Sequence, residues 1–518
     1  MRLFEWLLFL SNIGLFALSV RLKKGRRKVP LFAASGVAAL FMVIHLTVEG
    51  YRVQLIFPYC LTAVCFVTSG YFYFKKNGST NIPRFVSVSG YTAAAIMLVV
   101  TAGLLYVFPV FKLPEPTGEY KVGTQTFHLV DTRRDEIYDK AGDRKRELMV
   151  HVWYPAQAGN GEYDPFIQDP RILPYMAANY GLPGFTFQHL KYVASHAYSE
   201  AEVSSAQPSY PLLLGNPGFG SSRFLHTSQA ENLASHGYIV AVIDHTYNTF
   251  ATEFPDGRIT TSTTNGLFSS NHDYRTESGN RDKLGKVLTD DATFVLDQFE
   301  RIQSGEISSL LKGKIDLGHV GTFGHSIGGA TAFDAAYDPR IAVGVDLDGA
   351  LYRLRDREGL QKPFLFMNSE SEFARLKMAM DNHVYTDAEL KRIGNSRAWM
   401  EQVTADKKRE LDRMRDTAAA GGQLIYIDNT EHLNFTDVAF ISPVFKWLGV
   451  TGKVDSGRAN AIINAYMLDF FDLYLKNKGG SLLRGPQSRY PEVRIATTSL
   501  VFMSHIKYFN ESYIKYML

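Results

Sequence analysis

The 518-residue chain carries 55 Lys and Arg against 52 Asp and Glu, a formal net charge of +3. That balance argues against a nucleic-acid binder held by a broad basic face, and the length leaves room for a membrane segment plus one large or two ordinary domains. Both cysteines, Cys60 and Cys65, fall in one apolar run, so the large C-terminal part can form neither a disulfide nor a thiolate metal site.

Four apolar stretches fill the first 111 residues, at about 3–20, 30–48, 53–74 and 91–111. Each has roughly the ~20 residues that span a bilayer as a helix, so a transmembrane segment over 1–113 is expected. The first stretch precedes its basic cluster, the opposite polarity to a cleaved signal peptide. Arg21, Lys23, Lys24, Arg26, Arg27 and Lys28 lie in the first loop, and Lys75, Lys76 and Arg84 in the third. By the positive-inside rule both loops are cytoplasmic, which predicts a multi-pass cell-membrane protein whose large domain is extracellular. His45 and the two cysteines within the spans read as packing residues.

Pro114-Glu-Pro-Thr-Gly118 breaks helix and strand alike and marks the start of a second domain, 119–480. Lys145 to Tyr154 alternates as a strand should, with Gly123 to Val130 as an antiparallel partner. Residues 160–205 mix Tyr, Phe, Pro and Gly without a period and read as an excursion above the sheet. From Pro211 the pattern becomes βαβ: strands Pro211 to Leu214, Tyr238 to Ile243, His319 to Phe323, Ile341 to Leu347, Pro363 to Met367 and Leu424 to Ile427, with intervening helices. Such crossovers build a mostly parallel sheet flanked by helices, an α/β fold. The charged region 372–420, with Thr386-Asp-Ala-Glu389 as a capping box, is either a lid or a solvated surface insertion. Ile462, Ile463, Tyr466, Met467, Phe470, Phe471 and Tyr474 form an apolar helix stripe that belongs in the core, and 481–518 stays an unassigned tail.

The chemistry centres on Gly324-His-Ser326-Ile-Gly328-Gly, placed between a strand and a helix. A G-x-S-x-G elbow holds its serine on a strained turn, and glycines flank it because side chains there would clash. Ser326 is therefore the candidate nucleophile. A serine hydroxyl needs a base to take its proton, and the base needs an acid to fix its tautomer. Asp348 follows strand 341–347 at its carboxyl end, where open α/β sheets keep their sites, with Asp346 as the rival acid or a structural one. His432, in the loop after the last predicted strand, is the candidate base and completes the order Ser, Asp, His; His325 beside the serine reads as structural. The oxyanion would be met by the backbone amides of Ile327 and of Phe219, the latter in Gly215-Asn-Pro-Gly-Phe-Gly. Neither a metal cluster nor a dinucleotide or phosphate fingerprint is present, so no cofactor is implied.

These segments resemble the platelet-activating factor acetylhydrolase type of α/β-hydrolase, and bacterial dienelactone-hydrolase-like relatives, over roughly 119–480. The likeness rests on Tyr210-Pro-Leu-Leu-Leu-Gly-Asn-Pro-Gly-Phe-Gly, Gly-His-Ser-Ile-Gly-Gly-Ala-Thr, Val-Asp-Leu-Asp-Gly-Ala and Glu-His-Leu-Asn-Phe-Thr-Asp. Residue by residue it implies the same roles for Ser326, Asp348, His432, Phe219 and Ile327. Two departures stand out: Pro217-Gly218 occupies the place of the usual His-Gly, and the stretch from Asp348 to His432 is longer than the family pattern. The expected function is a membrane-anchored serine esterase, acting through an acyl-enzyme on a short-acyl, lipid-like ester near the bilayer. The alternative is a non-catalytic receptor or scaffold with a degenerate hydrolase domain.

Overall fold

The computed structural model describes residues 2–22, 28–75, 84–139, 142–158, 162–264, 267, 273–355 and 357–496. Residues 23–27 of the basic first loop, Lys76 of the third and the tail from Thr497 lie outside them. The four apolar stretches form helices α1 (Leu3–Arg21), α2 (Lys28–Ile44), α3 (Ile56–Phe74) and α4 (Arg84–Val107). A wide turn, His45–Glu49, continues α2, and a short 3₁₀ turn, Val53–Leu55, leads into α3. All four are long and apolar enough to cross a membrane. The last begins and ends earlier than the sequence suggests: Phe108 precedes Pro109, and a residue before proline is pushed out of helical backbone. Polar side chains face inward between the helices, as in Asn12 Nδ2–H to Thr62 Oγ1 at 2.8 Å and His45 Nε2 to Tyr59 Oη at 2.8 Å. In an apolar solvent such groups gain by bonding across helices.

Beyond the bundle, β1 (Lys121–Asp135) and β2 (Lys145–Ala156) pair antiparallel as expected, Thr124 opposite Trp153. The excursion contributes α5 (Leu173–Asn179) and β3 (Ala197–Ser199), which joins β1 in parallel. Then come β4 (Tyr210–Asn216), α6 (Thr227–Ser235), β5 (Ile239–Asp244), the hairpin β6 (Ala251–Glu253) and β7 (Ile259–Thr261), and the long α7 (Tyr274–Ser304). The chain goes on through β8 (Ile315–His325), α8 (Ile327–Ala335), β9 (Ile341–Leu347) and β10 (Phe364–Ser369), followed by α9 (Glu370–Met380), α10 (Asp387–Ile393) and α11 (Arg397–Ala419). It closes with β11 (Gln423–Ile427), α12 (Val438–Ile441), α13 (Val444–Trp447), α14 (Ser456–Lys476) and β12 (Val493–Ile495).

One ten-stranded sheet runs β12-β11-β10-β9-β8-β4-β5-β2-β1-β3, with its six central strands, β11 to β5, parallel. Period-2 alternation divides the buried residues between two faces: Leu212 and Leu214 pack on one side, Leu213 on the other. The stripe of α14, Ile462 through Phe471, covers the second face. β12 pairs with β11 and so carries the sheet past residue 480.

The region 372–420 is neither a detached lid nor a solvated appendage. Its helices form the crossover that parallel pairing of β10 with β11 requires. The excursion packs against the bundle. Its Phe166, Leu173, Met176, Phe187 and Leu190 pack with Phe108, Phe111 and Leu113 at the end of the helical bundle, joined by Val438 and Ile441 from α12.

Candidate active site

Ser326 sits between β8 and α8 with φ 57° and ψ −127°, a backbone conformation that costs a non-glycine residue on the order of 1–3 kcal/mol. The turn is this tight because β4 runs directly beside it. A Cβ on Gly328 would lie 1.9 Å from the Asn216 carbonyl oxygen, and one on Gly324 would lie 2.0 Å from that of Gly328. Both glycines are thus obligatory. The Ser326 amide donates to Leu347 O at 3.0 Å, tying the elbow to the neighbouring strand.

Asp348, also at positive φ (57°), turns its carboxylate out of the end of β9. Its Oδ2 accepts from His432 Nδ1–H at 2.7 Å, and its Oδ1 from the Ser369 amide at 2.5 Å. Burial alone would push this carboxyl up, yet the bonds from His432 and Ser369 hold it below the usual carboxylate range. An ionised acceptor on Nδ1 fixes the proton there and leaves Nε2 as the basic nitrogen of His432. Asp346 has a different fate. It lies under the elbow, where a Cβ on Gly329 would meet its Oδ1 at 1.8 Å, and that oxygen accepts from the Gly349 amide at 2.8 Å. Burial, reinforced by Glu410, Asp348 and Glu372 and opposed by the bond from the Gly349 amide, pushes its carboxyl well above the usual range.

His325, read from the sequence as structural, bears directly on the candidate base. Burial, with His432 and His226 nearby, pushes its imidazole well below the usual range. The neutral ring donates Nε2–H to the His432 carbonyl at 3.0 Å, and the two rings stand 4.4 Å apart. Asp437, five residues past His432, anchors the same loop by accepting from the Ser228 amide at 3.0 Å in the first turn of α6. The sequence signal for both was proximity to the candidate nucleophile and base. What it could not supply was the direction in which each side chain points.

The loop after β4 approaches the elbow closely: a Cβ on Gly218 would come within 3.1 Å of Ser326 Cβ. Phe219 follows it, and Ile327 opens α8, so both candidate oxyanion amides flank the serine. Ser326, Asp348 and His432 line one cavity of about 260 Å³. Its walls come from α7, α9, α11 and the loop after β9, apolar at Leu351 and Leu354 of that loop and at Trp399 and Val403, and ionic at Glu372, Arg375, Lys407 and Glu410. Among the described residues, none of the aromatic excursion lines it.

Residues 105–481 match the family model for platelet-activating factor acetylhydrolase, isoform II. A probable 1-alkyl-2-acetylglycerophosphocholine esterase of Arthroderma benhamiae is 25% identical over 407 residues, covering 74% of this chain and 93% of that protein. The platelet-activating factor acetylhydrolase of Cavia porcellus is 24% identical over 427 residues, covering 74% and 84%. Among solved structures, a ferulic acid esterase from Streptomyces cinnamoneus superposes with a TM-score of 0.57 at 27% identity, covering 75% of this chain and 99% of its own.

Proposed function

Because the chain belongs to the platelet-activating factor acetylhydrolase, isoform II family of α/β-hydrolases, we propose that it is a membrane-anchored serine esterase that cleaves short-acyl, lipid-like carboxylic esters through an acyl-enzyme. The observation that carries this reading is the Asp348–His432 bond of 2.7 Å in the cavity that Ser326 also lines. In the proposed cycle His432 Nε2 takes the Ser326 hydroxyl proton as Oγ attacks the ester carbonyl. Asp348 steadies the imidazolium, and the amides of Phe219 and Ile327 receive the oxyanion. The alcohol departs with the proton from His432, and a water deprotonated by the same nitrogen then releases the acid.

Two features support the choice of substrate: a relative named as an esterase of 1-alkyl-2-acetylglycerophosphocholine, beside others named as platelet-activating factor acetylhydrolases, and a cavity of about 260 Å³ that is small for a long acyl chain. The bundle supports membrane anchoring by length and composition, and the basic first and third loops support an extracellular catalytic domain. A fluorophosphonate probe on the full-length protein tests the mechanism. Labelling of the wild type and its loss in Ser326→Ala, together with loss of nitrophenyl acetate hydrolysis, is the expected result. An unlabelled wild type would overturn the reading in favour of a scaffold. Protease added to intact cells should remove the catalytic domain; protection of that domain while a first-loop tag is cut would reverse the orientation.

A further inference from the structure

The candidate base is carried by a segment that the helical bundle holds in place. His432 opens a 3₁₀ turn, His432–Phe435, after β11. Leu433, the next residue, packs against the apolar cluster at the end of the bundle, and α12 follows with Val438 and Ile441 inside that cluster. Phe440 stacks on Phe111, just past α4, with ring centroids 6.2 Å apart and planes 25° from parallel. Ser442 then donates its hydroxyl to Val107 O at 2.6 Å. Val107 is the last residue of α4, so its carbonyl is one of those that a helix end leaves without a partner inside the helix. From His432 to Ser442 the chain is thus fastened to the bundle end at Leu433, Phe440 and Ser442.

The oxyanion loop leans on the same cluster. Leu173 and Met176 of α5 belong to it, and Asn179, the last residue of α5, donates Nδ2–H to Gly220 O at 3.4 Å. Phe250, another member, donates its amide to Ser221 O at 3.0 Å. The Asp437 amide donates to Leu225 O at 2.9 Å, which ties the two loops to each other. Ser326 and Asp348 stand instead at the ends of the central strands β8 and β9. The sheet therefore places the nucleophile and the acid, whereas side chains packed on the bundle place the base and the oxyanion loop. A displacement of about 1 Å in a reacting group can cost on the order of 10²-fold in rate, so this seat bears on turnover.

We propose that Phe440 and Ser442 are positioning residues for the candidate base, seated on the end of α4, so that the bundle sets turnover as well as anchoring the enzyme. This rests on the serine-esterase reading above. The test uses full-length protein in lipid nanodiscs, with variants whose melting curves match the wild type. Ser442→Ala should lower kcat for nitrophenyl acetate about tenfold or more while KM changes less than about twofold, and Ser442→Thr, which keeps the hydroxyl, should recover most of the loss. Phe440→Ala should act in the same way through loss of the Phe111 stack. Tyr192→Phe removes a different bond of the same junction, to Tyr51 O, and should leave kcat within about twofold. An unchanged kcat in both Ser442→Ala and Phe440→Ala would overturn the proposal. So would an equal fall in Tyr192→Phe, because the loss would then follow any loosening of the junction. Hydrogen exchange separates these outcomes from failure of the esterase reading: backbone amides over 428–443 should exchange faster in Ser442→Ala than in wild type, whether or not the protein hydrolyses an ester. If the wild type neither turns over nitrophenyl acetate nor takes the fluorophosphonate label, the esterase reading fails while exchange still decides the seat. Equal exchange in the two proteins would show that the end of α4 does not hold the base-bearing loop.

Discussion

Two aspartates two residues apart meet opposite environments, and that contrast fixes what each substitution should do. Asp348 is an ionised partner of His432, so Asp348→Asn should lower turnover by a factor on the order of 10⁴, because a carboxamide no longer holds the proton on Nδ1. Asp346 has its carboxyl pushed upward by burial and points beneath the elbow, where an asparagine keeps the acceptor for the Gly349 amide; Asp346→Asn should leave turnover within about tenfold. Nitrophenyl acetate kinetics on variants with matched melting curves decide this, and the reverse ranking would hand the acid's role to Asp346. His325 makes a subtler case. Its bond to the His432 carbonyl and its ring contact set where the base stands, so His325→Phe should lower kcat by about 10- to 100-fold, the equivalent of ~1–3 kcal/mol. His325→Gln, which retains a donor, should recover part of it. A variant slowed only through KM would refute the positioning role.

Between residues and whole elements lies the base-bearing loop, pinned to the first turn of α6 by Asp437. Burial pushes this carboxyl up to about 7, which is the first of its causes; the bonds from Ser228 oppose it only in part. A carboxyl whose pKa is raised on folding binds its proton more tightly in the folded state, so stability falls as pH rises from the ordinary carboxylate range to about 7. Asp437→Asn, which cannot ionise, should therefore flatten the decline in melting temperature between pH 5 and about 7 relative to wild type. Parallel curves would show that Asp437 does not titrate in that window.

The same scale shows what could be read in advance. The strands, the elbow and the stripe of α14 were legible because alternation, glycine spacing and a 3.6-residue period report burial directly. The crossover helices were not, because Glu372, Arg375, Lys407 and Glu410 look like a solvated face in sequence but are partners in buried ion pairs. Periodicity sees polarity, not pairing. Likewise nothing in 173–198 tells whether its aromatics line a substrate cavity or brace a helical bundle, since both bury the same side chains.

At the scale of the whole molecule, the bundle and the catalytic domain meet through a polar junction instead of a free tether. Arg52 is fully buried, bonded to Glu5 of α1 at 2.9 Å and to the Phe108 carbonyl where α4 ends. Next to it Gln54 donates to Thr186 O at 3.2 Å, and the Tyr192 hydroxyl donates to Tyr51 O at 2.6 Å. On the far side, Ser442 donates to Val107 O at 2.6 Å and Trp447 packs on Tyr106, ten to fifteen residues past the candidate base. Leu182 and Phe185, close in sequence to Thr186, and Trp447 with Leu448 are among the exposed apolar residues. A glutamate in the first apolar helix looks anomalous in sequence, and Arg52 supplies its reason. Removing one member of such a pair strands the other charge, at a typical cost of about 3–5 kcal/mol, whereas replacing both by apolar residues of like volume is often nearly neutral. Arg52→Met should therefore lower the melting temperature of the full-length protein in lipid nanodiscs sharply, and Glu5→Leu should do the same. The double variant should recover most of the loss, although Arg52 also serves the Phe108 carbonyl. Simple additivity of the two single effects in this cycle would mean that the junction is not held by the Glu5–Arg52 pair.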